Sequence, residues 1–237
     1  MSTVFIISAP SGSGKSTLVN ELRRIVPGLS FSISFTTRPP RGSEQNGREY
    51  FFISRELFED MISRDEFLEY ADVFGNYYGT ARRFLREAEQ SGHDLLLDID
   101  VQGAAQIKHR LPEAVSIFVL PPNRENLEWR LNNRGLDSAE VIQRRLDTAS
   151  REIENYDKYD YILVNDLLDK ATDDLRAIVL SERIRHSGNT LSEEDQKQVR
   201  RAEGNRLNNA RDRIQPILDS FRRAKSATAR EMLWGRT

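Results

Sequence analysis

Residues 9–16 read Ala-Pro-Ser-Gly-Ser-Gly-Lys-Ser, which meets the spacing G-x-x-x-x-G-K-[ST] at every defined position but the first, where Ala9 replaces glycine. A loop of this kind binds the phosphates of a nucleoside triphosphate. Over Ala9, Pro10, Ser11, Gly12, Ser13, Gly14, Lys15, Ser16 and Thr17 the backbone is expected to wrap the β-phosphate. It offers N–H donors and the positive end of a following helix. Lys15 then reaches the β- and γ-phosphates, and the Ser16 hydroxyl ligates Mg²⁺. The natural complement is a carboxylate at a strand end, and Leu95–Asp100 (LLLDID) offers Asp98 and Asp100. A strand period of two puts both on one face, with Asp98 the candidate second ligand of the metal. The plain alternatives are a Gly/Ser turn with a solvated lysine, and two aspartates that only end the strand and cap the following turn. By itself the loop names a triphosphate and no second substrate, since several enzyme classes share it.

Positioning such a loop takes a strand before it and a helix after it. Thr3–Ser8 is a β-branched apolar run, and Leu18, Leu22, Ile25 and Val26 recur at helical spacing beyond the turn. Further strand-like runs lie at Leu95–Ile99, Val115–Leu120 and Tyr161–Val164, with helical stretches at Glu125–Leu131 and Leu167–Ile184. Continuous apolar strands alternating with helices indicate an α/β fold around a parallel sheet covered on both faces. The segment 31–85 breaks this rhythm: it is rich in Arg, Ser, Thr, Tyr and Gly and holds one clear helix, Arg55–Ser63, with Ser54 as its cap and Ile53 placed to staple against Phe58. It reads as a binding insert.

The composition, 38% hydrophobic and 30% charged over 237 residues, is that of a globular chain with one main core and an appendage. No stretch approaches the roughly 20 apolar residues of a membrane span, and Met1–Ile7 enters a strand without a basic flank, so a cytoplasmic address is expected. With no cysteine, disulfides, thiolate metal sites and thiol nucleophiles are excluded. The net charge of −2 divides unevenly: residues 187–237 carry +4 and the remainder −6.

From Ser34 the chain reads SFTTRPPRGSEQNGREY, then FLEY around Glu69, GNYYGT at 75–80 and LDIDVQG at 97–103. With the loop, this series resembles guanylate kinase over about residues 4–184. The resemblance implies a P-loop NTPase-type parallel sheet flanked by helices, with a small mixed α/β insert for GMP at 34–85, a helical lid at about 126–150 and core segments 1–33 and 86–186. The implied reaction is transfer from Mg-ATP to GMP, and to dGMP, giving GDP and ADP. Arg38 and Arg41, with Tyr50 and Tyr78, then resemble the clamp on the GMP phosphate, as suits a guanidinium fork. Ser34, Glu69 and Thr80 resemble the readers of guanine, and Asp98 and Asp100 belong on that side. A Glu69 carboxylate accepts both N1–H and the exocyclic N–H of guanine, a donor pair that adenine lacks. Arg130, Arg134 and Arg145 match the lid arginines that would neutralise the transferring group, and Asn165 matches the V-N-D near the adenine of ATP. Lys15, Arg38, Arg134 and Arg145 are the implied catalytic groups.

Residues 187–237 lie outside the resemblance. Ser192 as N-cap with Asp195 three residues on starts one helix, and Pro216 is expected to break or begin a second. Leu207, Ile214, Ile217, Leu218 and Phe221 suggest amphipathic helices packed on the body or on a second copy, so the protein is expected as a monomer or a homodimer. The modest basic excess and the scarcity of aromatics argue against nucleic acid as a partner. Two rival readings keep the loop or the fold alone: a P-loop kinase for another small molecule, and a non-catalytic guanylate-kinase-like binding module.

Overall fold

The protein is described from a computed structural model covering residues 2–73, 75–133, 138–187 and 191–234. In chain order it forms β1 (Val4–Ser8), α1 (Lys15–Ile25), β2 (Leu29–Phe31), β3 (Phe35–Thr36), β4 (Phe51–Phe52), α2 (Arg55–Ser63), β5 (Phe67–Val73), β6 (Asn76–Ala81), α3 (Arg83–Ser91) and β7 (Asp94–Asp98). There follow α4 (Val101–Arg110), β8 (Val115–Leu120), α5 (Arg124–Asn132), α6 (Ala139–Ile153), β9 (Tyr161–Val164), α7 (Leu168–Ser187), α8 (Glu193–Glu203) and α9 (Leu207–Trp234). The chain divides into two compact units, Met1–Ser8 with Arg23–Ser116, and Ala9–Leu22 with Ile117–Thr237.

In the first unit β7 lies between β2 and β1 with both pairs parallel, Val4 opposite Leu95 and Leu29 opposite Asp94. Every residue of β1 is buried, as are Leu95, Leu96 and Leu97, the pattern of strands covered on both faces. Helix α4 packs on β1 and α3 on β7. The insert forms a second sheet in the order β4-β3-β6-β5, with β3 parallel to β4 and antiparallel to β6. Phe35, Phe58, Met61 and Phe67 form its core, Ile53 and Tyr77 packing around them. The Phe58 and Phe67 rings stack at 4.4 Å, directly over Gly79, where a Cβ would fall 2.9 Å from each. Ser54 caps α2, accepting from Leu57 N.

In the second unit β8 and β9 run parallel, Ile117 opposite Tyr161. The expected tail helices are present as α8 and α9, α8 opened by a capping box in which Ser192 and Asp195 bond reciprocally. Helix α9 packs on β9, α5 and α6, and Ile214, Ile217, Leu218 and Phe221 are buried within the chain itself. Pro216 does not end a helix: α9 runs through it. The ring stands on the exposed side of α9, as does Asp212 one turn earlier, whose carbonyl the proline cannot serve as a donor.

Asp100 also departs from expectation. Strand β7 ends at Asp98, so the period-two argument stops there. Asp100 is instead the N-cap of α4, its Oδ1 accepting from Gln102 N at 2.9 Å and Gly103 N at 2.8 Å.

Candidate active site

Between β1 and α1 the chain turns tightly, with Ser13 N donating to Pro10 O at 3.1 Å. Gly12 and Gly14 hold φ of +93° and +86°, a region closed to most side chains, and a Cβ on Gly12 would stand 2.9 Å from both Leu127 and Leu131. Ala9 is not among the described residues with positive φ, so the missing first glycine costs the loop nothing. Lys15 and Ser16 are the first residues of α1, at the end of the helix where backbone N–H groups lack helical partners.

Two side chains of the second unit fasten this loop. The Asn165 amide, itself buried at the end of β9, donates to Ser13 O at 2.7 Å. Arg130, on α5, donates from Nη1 to Ser13 O at 3.2 Å and from Nη2 to Asn165 O at 2.9 Å. Burial lowers the pKa of the Arg130 guanidinium despite the nearby Asp166 carboxylate. Gly12, Gly14, Thr17, Arg130, Asn165 and Asp166 open onto one cavity of about 410 Å³. The sequence-expected Arg130 and Asn165 are therefore brought together with the loop. On α6, the sequence-expected Arg145 is half-buried, and its neighbour Arg144 is exposed. Arg134 lies outside the described residues.

The first unit gathers the remaining set. Arg38, just past β3, is 6% exposed and donates from Nε to the Tyr78 hydroxyl at 3.1 Å. Its two terminal nitrogens meet the Glu44 carboxylate at 2.7 and 2.8 Å, and Arg41 N donates to the same carboxylate at 2.8 Å. The Glu44 hydrogen bonds raise the pKa of Arg38 further, and the same bonds hold the Glu44 carboxyl below its usual range. The guanidinium also lies over the Tyr50 ring at 5.0 Å. Burial, then the charge of Asp98, push the Tyr50 phenol up. Arg41 is exposed, half-buried Ser34 accepts from Phe51 N at 2.9 Å, and Tyr77 goes into the insert core while Tyr78 faces Arg38.

Glu69 on β5 stands opposite Thr80 on β6, whose hydroxyl donates to it at 2.6 Å. It is 4% exposed, and burial raises its carboxyl to about 7, with Asp100 adding to the rise and Thr80 opposing it. Gly103 makes the space: a Cβ there would fall 2.5 Å from Glu69 Oε2. Glu44 and Gly103 were missed from sequence, although Glu44 lies three residues past Arg41 and Gly103 closes the LDIDVQG run. Among the described residues no three His, Cys, Asp or Glu side chains cluster as a metal cage. Ser16 and Asp98 each carry the hard oxygen donor that Mg²⁺ prefers.

The chain is similar to proteins of known kind. The family model described as guanylate kinase matches residues 1–182. The guanylate kinase of Koribacter versatilis is 62% identical over 225 residues, 94% of this chain and 97% of that protein. That of Neisseria meningitidis serogroup A is 54% identical over 184 residues, 78% of this chain and 90% of that protein. A crystal structure of guanylate kinase from Anaplasma phagocytophilum superposes with a TM-score of 0.65 at 34% identity, covering 77% of this chain and 87% of that one. With the match running from β1 into α7 and holding both the phosphate loop and the Glu69–Thr80 pair, the chain belongs to the guanylate kinase family.

Proposed function

We infer that the protein transfers the γ-phosphoryl group of ATP to the phosphate of GMP, and of dGMP, giving GDP or dGDP and ADP. The observation that supports guanine as the base is Glu69, a carboxylate 4% exposed and opposite Thr80. Its two oxygens match the N1–H and exocyclic N–H of guanine. Adenine, which lacks that donor pair, would leave the buried carboxylate short of a partner, at a cost of a few kcal/mol. Ser34, Thr80 and Asp100 complete the base site in this reading, and Arg38, Arg41, Tyr50 and Tyr78 hold the GMP phosphate.

The acceptor phosphate is ionised at neutral pH and attacks without a general base, so catalysis rests on alignment and charge neutralisation. The loop 9–17 holds the ATP phosphates, Lys15 follows the γ-phosphoryl oxygens, and Arg134 and Arg145 supply positive charge as the bond to the β-phosphate oxygen breaks. Ser16 and Asp98 are the residues that would hold the Mg²⁺ brought with ATP, whose charge would offset that of the phosphates. Asn165 and Arg130 keep the loop in shape for the triphosphate. Among the described residues no helix is long and apolar enough to cross a membrane, and the cytoplasm, where both nucleotides circulate, is the compartment this reading calls for.

Incubation with Mg-ATP and each of GMP, dGMP, AMP, CMP and UMP, following ADP release, tests the assignment. Turnover with the guanine nucleotides alone is expected. Equal turnover with AMP, or none with GMP, would overturn it.

A further inference from the structure

Strand β5 does not alternate evenly. From Phe67 opposite Ala81 to Glu69 opposite Thr80 it advances two residues while β6 advances one, so Leu68 is the extra residue of a bulge. The bulge decides where Glu69 points. Phe67 and Tyr70 share the aromatic face of the insert, their rings 6.2 Å apart and both against Phe58, although an unbroken strand would put Phe67 on the same face as Glu69. With even pairing the carboxylate would stand among Phe58, Met61 and Phe67; with the extra residue it turns to Thr80 and Gly103 instead. β5 is also the outermost strand of its sheet, so among the described residues no further strand holds the bulge from outside. Helix α4 does so. Arg110 Nη1 donates to Phe67 O at 3.0 Å and to Leu68 O at 2.5 Å, the two carbonyls at the bulge. Past Glu69, the Gln106 amide brackets Tyr70, accepting from its N at 3.3 Å and donating to its O at 2.7 Å. The spacing of Gly103, Gln106 and Arg110 sets them on one stripe of α4, so a single helix face clears the space for Glu69 and holds the backbone on both sides of it.

We propose that Arg110 is a positioning residue for base recognition: by holding the carbonyls of Phe67 and Leu68 it keeps the bulge formed and so aims the Glu69 carboxylate at guanine. The proposal rests on the reading of Glu69 above and deepens it. Two carbonyls that converge on one nitrogen at the outer edge of a sheet lack a strand partner, and a cation between them is a stronger tether than a neutral donor. The Thr80 hydroxyl cannot set the aim alone, since it meets one oxygen of the carboxylate and leaves the strand beneath it unconstrained. Arg110 also bears on the charge of Glu69. Burial raises that carboxyl, Thr80 opposes the rise, Asp100 adds to it and Arg110 opposes it. Aim and charge are separable by pH, because only the second depends on protonation of Glu69.

The test uses the full chain and the variants Arg110→Ala and Arg110→Lys. The substrates compared are GMP and inosine monophosphate, which keeps the ribose, phosphate and N1–H of GMP and lacks the exocyclic amine. A misaimed Glu69 loses the amine, so Arg110→Ala is expected to compress the ratio of kcat/KM for GMP over inosine monophosphate about 10-fold, chiefly through KM for GMP. KM for ATP should stay within about 2-fold of the parent and the melting temperature within about 4 °C. Because one nitrogen makes both bonds, a lysine ammonium can replace it, and Arg110→Lys should keep the ratio within about 3-fold. The compression in the alanine variant should persist from about pH 6.5 to about pH 8.5. Recovery of the parent ratio at the upper end overturns the proposal, because Arg110 would then act only through the charge of Glu69. An unchanged ratio overturns it, and so does an equal loss with both substrates beside a lower melting temperature, since Arg110 would then only stiffen the insert. In each of these cases a parent that phosphorylates GMP leaves the functional reading standing; a parent that transfers nothing to GMP overturns both.

Discussion

Glu69 and Thr80 face each other across the antiparallel pair β5–β6, and the Thr80 hydroxyl donates a 2.6 Å hydrogen bond to Glu69 Oε1. Burial lifts the Glu69 carboxyl to about 7, whereas the guanine recognition proposed above calls for the ionised form. KM for GMP is therefore expected to rise about 10-fold between pH 8 and pH 6, one unit of titration corresponding to tenfold. Glu69→Gln should raise KM and flatten this profile, leaving only the titration of the GMP phosphate itself, whose second pKa is about 6. The sign for folding is opposite to the sign for binding. A carboxyl raised in the folded state favours folding fully below its unfolded value near 4.3, and that contribution is lost as pH rises through about 7. Parallel wild-type and Glu69→Gln profiles would remove Glu69 from base recognition.

Gly103 offers a sharper probe of the same carboxylate. Gly103 is the third residue of α4, where alanine is favoured over glycine by at most about 1 kcal/mol in helix propensity, so Gly103→Ala should leave the helix intact or firmer. Yet the added methyl would lie 2.5 Å from Glu69 Oε2 and must displace it. The variant is expected to lose GMP affinity at least about 10-fold and to discriminate less against AMP while keeping its melting temperature within a few degrees. Competition kinetics with GMP and AMP, beside a thermal melt, check both halves.

Arg38 and Glu44 make the second pairing to test. Glu44 takes both terminal nitrogens of a guanidinium that is 6% exposed, and it ties the Arg41 backbone to the same point. Removing its charge leaves Arg38 buried with weaker anchoring, at a cost on the order of 1.5–3 kcal/mol for a charged hydrogen bond. Glu44→Gln is expected to raise KM for GMP by about 10-fold with ATP affinity unchanged, since the phosphate clamp loses its fixed orientation. A normal KM would mean the pair serves only the loop's stability.

On the triphosphate side, Lys15→Ala should lower kcat by on the order of 10²–10³-fold, the usual loss when one preorganised donor to a developing charge is removed. Binding of GMP, measured by calorimetry without ATP, should stay within about 2-fold of the parent. Normal turnover in this variant would sink the role given to the loop.

How much of this was legible beforehand depends on whether a residue's setting is local. Strands Val115–Leu120 and Tyr161–Val164 fall where the apolar runs put them, because a strand buried on both faces announces itself by continuous hydrophobicity. The Ser192–Asp195 box is equally local. Asp100 was misplaced because the strand ends two residues earlier, and only hydrogen bonding marks that end. Pro216 was misplaced because its helix turns the ring to solvent, a tertiary circumstance. Glu44 and Gly103 were missed for a related reason: each meets its partner, Arg38 or Glu69, through the fold rather than through a neighbouring residue.

The tail offers a stability prediction with a named centre. Glu182 on α7 is 7% exposed and accepts from the Tyr161 hydroxyl and, at 2.9 Å, from Arg206 of the segment joining α8 to α9. Arg206 also lies over the Tyr161 ring at 4.7 Å, and burial together with the Glu182 contact pushes the phenol well above its usual range. Arg206→Ala withdraws positive charge from a buried carboxylate, a change that costs about 3 kcal/mol when a buried pair is broken. For a chain of this size that corresponds to a melting temperature lower by about 6–12 °C. Arg211→Ala, at an exposed position of α9, is the control and should melt with the parent. Deleting residues 187–237 should cost more than Arg206→Ala, because Ile214, Leu218 and Phe221 leave buried positions as well. A truncated chain that melts with the parent would show that the tail packs without stabilising the fold.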